Sequence, residues 1–173
     1  MHSKPLGSFC SIYRTTLGFG ILRASAAGFV AHELPFAAAS FEEAQHQAGA
    51  HLPESPLTAR GAELLSRYFA GERIDFSQLP LDLAGCTPFQ QEVYRRVALI
   101  PYGCVVSYGE VASRCGSPKG ARAIGTAMAK NSLPILIPCH RVLGSRGKLT
   151  GFSAPGGLAS KRDLLVLEGV FLI

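Results

Sequence analysis

The chain has 173 residues, a formal net charge of +5 and 47% hydrophobic side chains, enough for one ordinary domain or two small ones. No apolar run approaches the roughly 18 residues of a membrane span, and the first residues lack the basic-then-apolar layout of a secretory leader. A soluble cytoplasmic protein with no membrane partner is therefore expected, and five irregularly spaced cysteines fit reduced thiols better than a disulfide framework.

The charge is unevenly divided. Residues 1–85 carry six Lys/Arg against eight Asp/Glu, whereas residues 86–173 carry eleven against four. A basic half of this kind is what a nucleic-acid face requires, because neutralising phosphates releases counterions. A merely solvated basic surface is the plain alternative.

In chain order, Phe9–Thr15, Gly20–Ser25 and Phe29–Pro35 cluster or alternate apolar and β-branched residues between glycine-containing turns, which predicts a small antiparallel sheet. Residues 37–56 predict a loop with a short helix. The spacing of Leu64, Leu65, Tyr68 and Phe69 predicts a helix stopped at Gly71. Residues 74–83 read as irregular or extended, and a domain boundary is placed near Gly85, giving an N-terminal domain over 1–85 and a second over 86–173.

The second half opens on a capping box, Thr87 with Gln90, with Pro88 at the first helical position. Phe89, Val93, Tyr94 and Val97 make the expected buried stripe. Residues 104–106 predict a short strand. Ser107 with Glu110 starts a second helix ending at Cys115-Gly116, and Ser117-Pro118 is expected to start a third that runs to about Lys130. Two short helices across a glycine-containing turn outline a helix-turn-helix. On the third helix Ala121, Ile124 and Met128 can face a core, while Arg122, Thr126 and Lys130 share another face. Ala123, Gly125, Ala127 and Ala129 keep the rest thin enough for close approach to a DNA groove. A last helix is expected over 158–168, and Glu168 at its C-terminal end opposes the helix dipole, which implies a specific partner.

Between the third and last helices lies Pro138-Cys139-His140-Arg141-Val142. A cysteine beside a histidine is the minimum equipment for a thiolate nucleophile, and a buried cysteine beside a satisfied histidine is the bland alternative. The frame decides. Phe89-Gln90-Gln91-Glu92-Val93, Ile100-Pro101-Tyr102-Gly103, Val106 to Ala112, Ala121 to Gly125, Met128 to Asn131, Ile135 to Val142 and Gly156-Gly157-Leu158 resemble, in order, the catalytic domain of the O6-alkylguanine-DNA alkyltransferases. Lys161, Leu164-Leu165 and Glu168-Gly169 continue the match.

The resemblance implies an α/β (α+β) protein: a small N-terminal domain with antiparallel sheet and helices, and a winged-helix-like C-terminal domain containing the helix-turn-helix. It implies Cys139 as alkyl acceptor, His140 as its base through water, Glu168 orienting the imidazole, and Tyr108 assisting base rotation and protonation of guanine. Arg122 would fill the stack vacated by the flipped base, with Ala123, Thr126, Ala127, Lys130 and Arg141 as further DNA contacts. The substrate pocket would hold Tyr108, Asn131, Val142 and Ser153, with Asn131 bracing the turn before the cysteine. The partner implied is double-stranded DNA containing O6-alkylguanine, with O4 of thymine an open second target, attacked by a monomer without cofactor. Cys10, His32, His46 and His51 lack a ligand spacing, so no metal is expected. Gly151-Phe152-Ser153-Ala154-Pro155-Gly156-Gly157 is longer than the Tyr-Ser segment of many relatives, which leaves the donor to guanine O6 open between Ser153 and backbone N–H groups. The competing classes are a non-enzymatic alkylated-DNA binder, which would lack the cysteine, a sequence-specific winged-helix regulator and a thiol hydrolase.

Overall fold

The computed structural model describes residues 8–47 and 52–171. His51 of the metal expectation lies outside the described residues. The chain forms two compact units, one running to Ile74 and taking in Gln78–Gly85, the other holding Asp75–Ser77 and the chain from Cys86. No helix among the described residues is long and apolar enough to cross a membrane.

In the first unit, β1 (Phe9–Thr15), β2 (Gly18–Ala24) and β3 (Phe29–Phe36) form an antiparallel sheet in sequence order. The second strand starts two residues before its expected position because Gly18 already pairs with Thr15. The short helix α1 (Phe41–Gln47) follows, then α2 (Pro56–Phe69). Ser55 and Thr58 close a reciprocal cap at the start of α2, which lays Leu65 and Tyr68, both fully buried, toward β1 and β2. His32 is buried and shares a 2.7 Å hydrogen bond with the Tyr13 hydroxyl, so it serves the sheet core.

In the second unit, α3 (Pro88–Ala98) starts at the expected box, Thr87 and Gln90 each accepting from the other's backbone N–H. Val93, Tyr94 and Val97 are buried, but Phe89 is 40% exposed. Periodicity assigns a residue to a face; it does not say how far the covering neighbour reaches along the first turn. The short strand is β4 (Val106–Ser107), starting two residues later than expected and ending one later, paired in parallel with β5 (Val142–Leu143). Ser107 then caps α4 (Tyr108–Arg114) with Glu110 answering, and Gly116 at φ +70° turns the chain out of it.

The next helix, α5 (Ala121–Ala129), begins later than Ser117-Pro118 led us to expect. The Gly120 N–H donates to the Ser117 carbonyl at 2.7 Å, so 117–120 closes as a separate turn, and Gly120 occupies the cap position without a side chain. Helices α4 and α5 pack on one another as a helix-turn-helix, and the Tyr94 hydroxyl fastens α3 to the Ala127 carbonyl at 2.9 Å. The final helix, α6 (Gly157–Leu167), buries Lys161, Leu164 and Leu165 and leaves Leu158, expected in its apolar set, half exposed.

Candidate active site

After α5 the chain makes a tight, nearly solvent-free passage to Cys139. Residues Leu133 to Leu143 are all buried. Ile135 sits at φ +73°, a left-handed conformation that costs a β-branched residue about 1–3 kcal/mol. The surroundings hold it there. The Ile137 N–H donates to the Leu133 carbonyl at 2.8 Å, the Asn131 amide donates to the Ile137 carbonyl at 2.9 Å, and the Asn131 side-chain oxygen accepts from the Leu133 N–H at 3.0 Å. Asn131 thus ties the end of α5 to the turn that presents the cysteine.

Cys139 begins a single 3-10 turn, Cys139–Arg141. Burial pushes its thiol up, opposed by the Asn131 amide, the nearby Lys161 charge and the backbone N–H groups of Cys139 and His140. The resting group is a thiol poised to lose its proton, not a standing thiolate. His140 is fully buried; burial lowers its affinity for a proton further than the Glu168 carboxylate raises it, so the imidazole is neutral. Its Nε2 lies 2.8 Å from Glu168 Oε1. Glu168 is ionised: burial alone would raise its carboxyl, but the hydrogen bonds from His140 and Arg141 and the Arg141 charge outweigh that and hold it well below the ordinary carboxylate range. A carboxylate can only accept, so Nε2 carries the proton and Nδ1 has the free lone pair. Among the described residues Nδ1 has no hydrogen-bond partner.

Glu168 meets more groups than the histidine. Arg141 grips both of its oxygens, Nε to Oε2 at 2.9 Å and Nη2 to Oε1 at 2.8 Å, and sends Nη1 to the Ile100 carbonyl at 2.5 Å. The Gly103 N–H adds a bond to Oε2 at 3.1 Å, and the Tyr102 hydroxyl bonds the Leu167 carbonyl at 2.9 Å. Gly103 has φ +74°, and a Cβ there would come 3.1 Å from the Glu168 carbonyl. The Ile100-Pro101-Tyr102-Gly103 segment is therefore a clasp on the end of α6.

This geometry corrects three expectations. Arg141 is buried with its guanidinium engaged inside the protein, so it does not face DNA. Ala127 is buried against α3 and leaves Arg122, Ala123, Thr126 and Lys130 as the exposed residues of that expected face. Val142 is fully buried in β5 and does not line the pocket beside the cysteine.

That pocket is a cavity of about 210 Å³ bounded by Gly125, Met128, Ala129, Cys139, Gly151, Phe152 and Ser153. Ser153 was expected; the small residues of α5 and Phe152 were not. Tyr108 stands at its edge, its hydroxyl donating to the Thr150 and Gly151 carbonyls at 3.2 and 3.3 Å, and burial raises its phenol. The same two carbonyls receive Lys161 Nζ at 2.8 and 3.2 Å, which also bonds the Val142 carbonyl at 2.6 Å. Burial brings this ammonium down to about 8, offset in part by Cys139. Sequence reasoning gave Lys161 no role, although its place three residues before Leu164 on an apolar stripe was a usable signal. No group of three or more His, Cys, Asp or Glu among the described residues could hold a metal ion.

Residues 88–170 match the model of the 6-O-methylguanine DNA methyltransferase DNA-binding domain. The chain is 47% identical over 117 residues to the methylated-DNA--protein-cysteine methyltransferase of Mycobacterium leprae, covering 68% of each protein. The chain belongs to this methyltransferase family. A second family member, from Mycobacterium bovis, is 45% identical over 128 residues, 73% of this chain and 75% of that protein. The fold agrees: a crystal structure of Mycobacterium tuberculosis OGT in complex with DNA superposes with a TM-score of 0.73 at 36% identity, covering 92% of both chains. The methyltransferase family therefore accounts for both the motif-bearing half and the sheet-containing half of the architecture.

Proposed function

We propose that this chain repairs double-stranded DNA by moving an alkyl group from O6 of guanine to Sγ of Cys139, once per molecule. The observation that carries the reading is the buried, neutral His140 with Nε2 bonded to Glu168 and Nδ1 free, next in sequence to a buried thiol. In the reaction the Cys139 proton passes to Nδ1 through water, sulfur attacks the alkyl carbon, the C–O6 bond breaks, and guanine leaves with its oxygen protonated or its ring rearranged to the keto form. Glu168 stabilises the imidazolium that forms. The thioether product is inert to water, so the protein is consumed.

Residues 86–173 act as the DNA-binding and alkyl-acceptor domain. The target atom lies inside the duplex, so the base is turned out into the cavity at Cys139, at an unstacking cost of a few kcal/mol. Arg122, exposed at the start of α5, fills the vacated stack, and Ala123, Thr126 and Lys130 lie along the groove. Tyr108 keeps its proton and can turn it from the loop carbonyls to the departing base. Ser153, or N–H groups of its loop, donates to O6. The protein works inside the cell as a monomer, since damage in any sequence offers no palindrome to a dimer.

The test is intact and peptide mass after incubation with excess O6-methylguanine duplex, beside Cys139→Ala. One methyl on the Cys139 peptide, guanine restored and no second turnover is the expected result. Duplex retarded without any mass gain would make the chain a lesion binder.

A further inference from the structure

We propose that the loop Gly144–Lys148 is a second DNA contact, with Arg146 and Lys148 meeting backbone phosphates beside the flipped base. The inference rests on the repair reading above. The loop leaves β5 where Leu143 pairs with Ser107, the residue that caps α4, so its root lies at the entrance to the helix-turn-helix. The Gly144 N–H donates to the Lys148 carbonyl at 2.8 Å and closes it into a compact projection.

Both cations, Arg146 at its tip and Lys148 at its closing base, are exposed, and neither side chain has an ion pair or hydrogen bond among the described residues. The acids of this half are largely spoken for: Glu92 pairs with Arg96, Glu110 belongs to the α4 cap and Glu168 is buried. Arg146 also holds φ +59°, a left-handed conformation better suited to glycine or asparagine. Nothing inside the protein, among the described residues, engages this arginine in return.

Position supplies the partner. Two residues after Lys148, the Thr150 and Gly151 carbonyls are pinned by the Tyr108 hydroxyl and Lys161 Nζ. Gly151 itself, with Phe152 and Ser153 immediately beyond it, lines the cavity at Cys139. Three residues of chain span at most about 10 Å, so a base in the cavity brings its own backbone within reach of two long cationic side chains. The segment is thus pinned at its middle, with phosphate contacts on one side of the pin and the pocket wall on the other.

Binding of an unmodified duplex as a function of salt tests this, in wild type, Arg146→Gly and the Arg146→Ala/Lys148→Ala pair. The double variant should lose roughly 10- to 30-fold in affinity near 0.1 M salt and lower the salt slope by about 2, one per lost phosphate contact. Arg146→Gly should weaken binding while leaving the melting temperature level or higher. Methyl transfer from free O6-methylguanine base, which has no phosphate, should be unchanged in all three. Unaltered affinity and slope would overturn the proposal, as would an equal loss with the free base, which would make the loop part of the pocket. Failure of wild type to take up any methyl group would sink the repair reading instead, and the salt slope would still decide the loop.

Discussion

The surroundings of Glu168 and the outer face of α5 are built on opposite rules. Around Glu168, the imidazole of His140, the guanidinium of Arg141 and the Gly103 N–H converge on one carboxylate. Along α5, Arg122, Ala123, Thr126 and Lys130 stand exposed, the Thr126 hydroxyl turned back onto the Arg122 carbonyl. A group that must hold one proton in one orientation gains from saturation, since each added bond removes a way for it to move. A surface that must receive a partner gains from being left bare. On the proposed function, the protein completes its chemistry internally and leaves the face of α5 to be completed by DNA.

The comparison breaks first at the saturated end. Glu168→Ala strands the Arg141 charge in the interior, and urea denaturation should register a loss of about 3–5 kcal/mol along with loss of alkyl transfer. At the bare end the opposite pattern is expected. Arg122→Ala should leave stability within about 0.5 kcal/mol, yet slow transfer from duplex roughly 10- to 100-fold, because a few kcal/mol of unstacking is no longer offset. Transfer from the free modified base should be unaffected; a matching loss there would place Arg122 in the pocket rather than in the stack.

Two pH effects sharpen the contrast. Glu168 has a folded-state pKa below its unfolded value near 4.3, so its contribution is full above about 4.3 and is lost as the pH falls toward the folded value. Acid unfolding of wild type and Glu168→Gln should therefore converge as the pH drops through that window; parallel curves would mean that the carboxylate is not held ionised. His140 is kept neutral by burial, so the rate of alkyl transfer should stay level as the pH falls through about 6.5, where an ordinary histidine would gain a proton. The smallest effect belongs to Lys130→Ala, with a salt slope lower by about 1 and an unchanged rate at saturating duplex.

What the sequence discloses follows the range of the forces involved. The caps at Thr87 and Ser107 are legible because their partners lie three residues away, and the three-stranded sheet because its pattern alternates between turns. Glu168 is legible as an acid in an unfavourable place. Arg141 reads as a DNA contact and Lys161 carries no legible role because their partners come from far along the chain: Arg141 meets Glu168 and Ile100, and Lys161 meets Val142. Two of the eleven cations in the basic half are therefore internal, and the surface of that half is less charged than composition alone implies. Phe89 and Ala127 fail for a related reason, since helical spacing fixes direction but not what stands opposite.

Lys161 carries one more consequence. An ammonium brought down to about 8 is an uncharged, nucleophilic amine for much of the time in mildly alkaline solution, but here it is sealed beneath the Thr150 and Gly151 carbonyls. An amine-directed acylating reagent could reach it only while that segment is lifted. Its labelling rate, set against that of an exposed lysine such as Lys148, is a built-in footprint of how often the wall of the cavity at Cys139 opens.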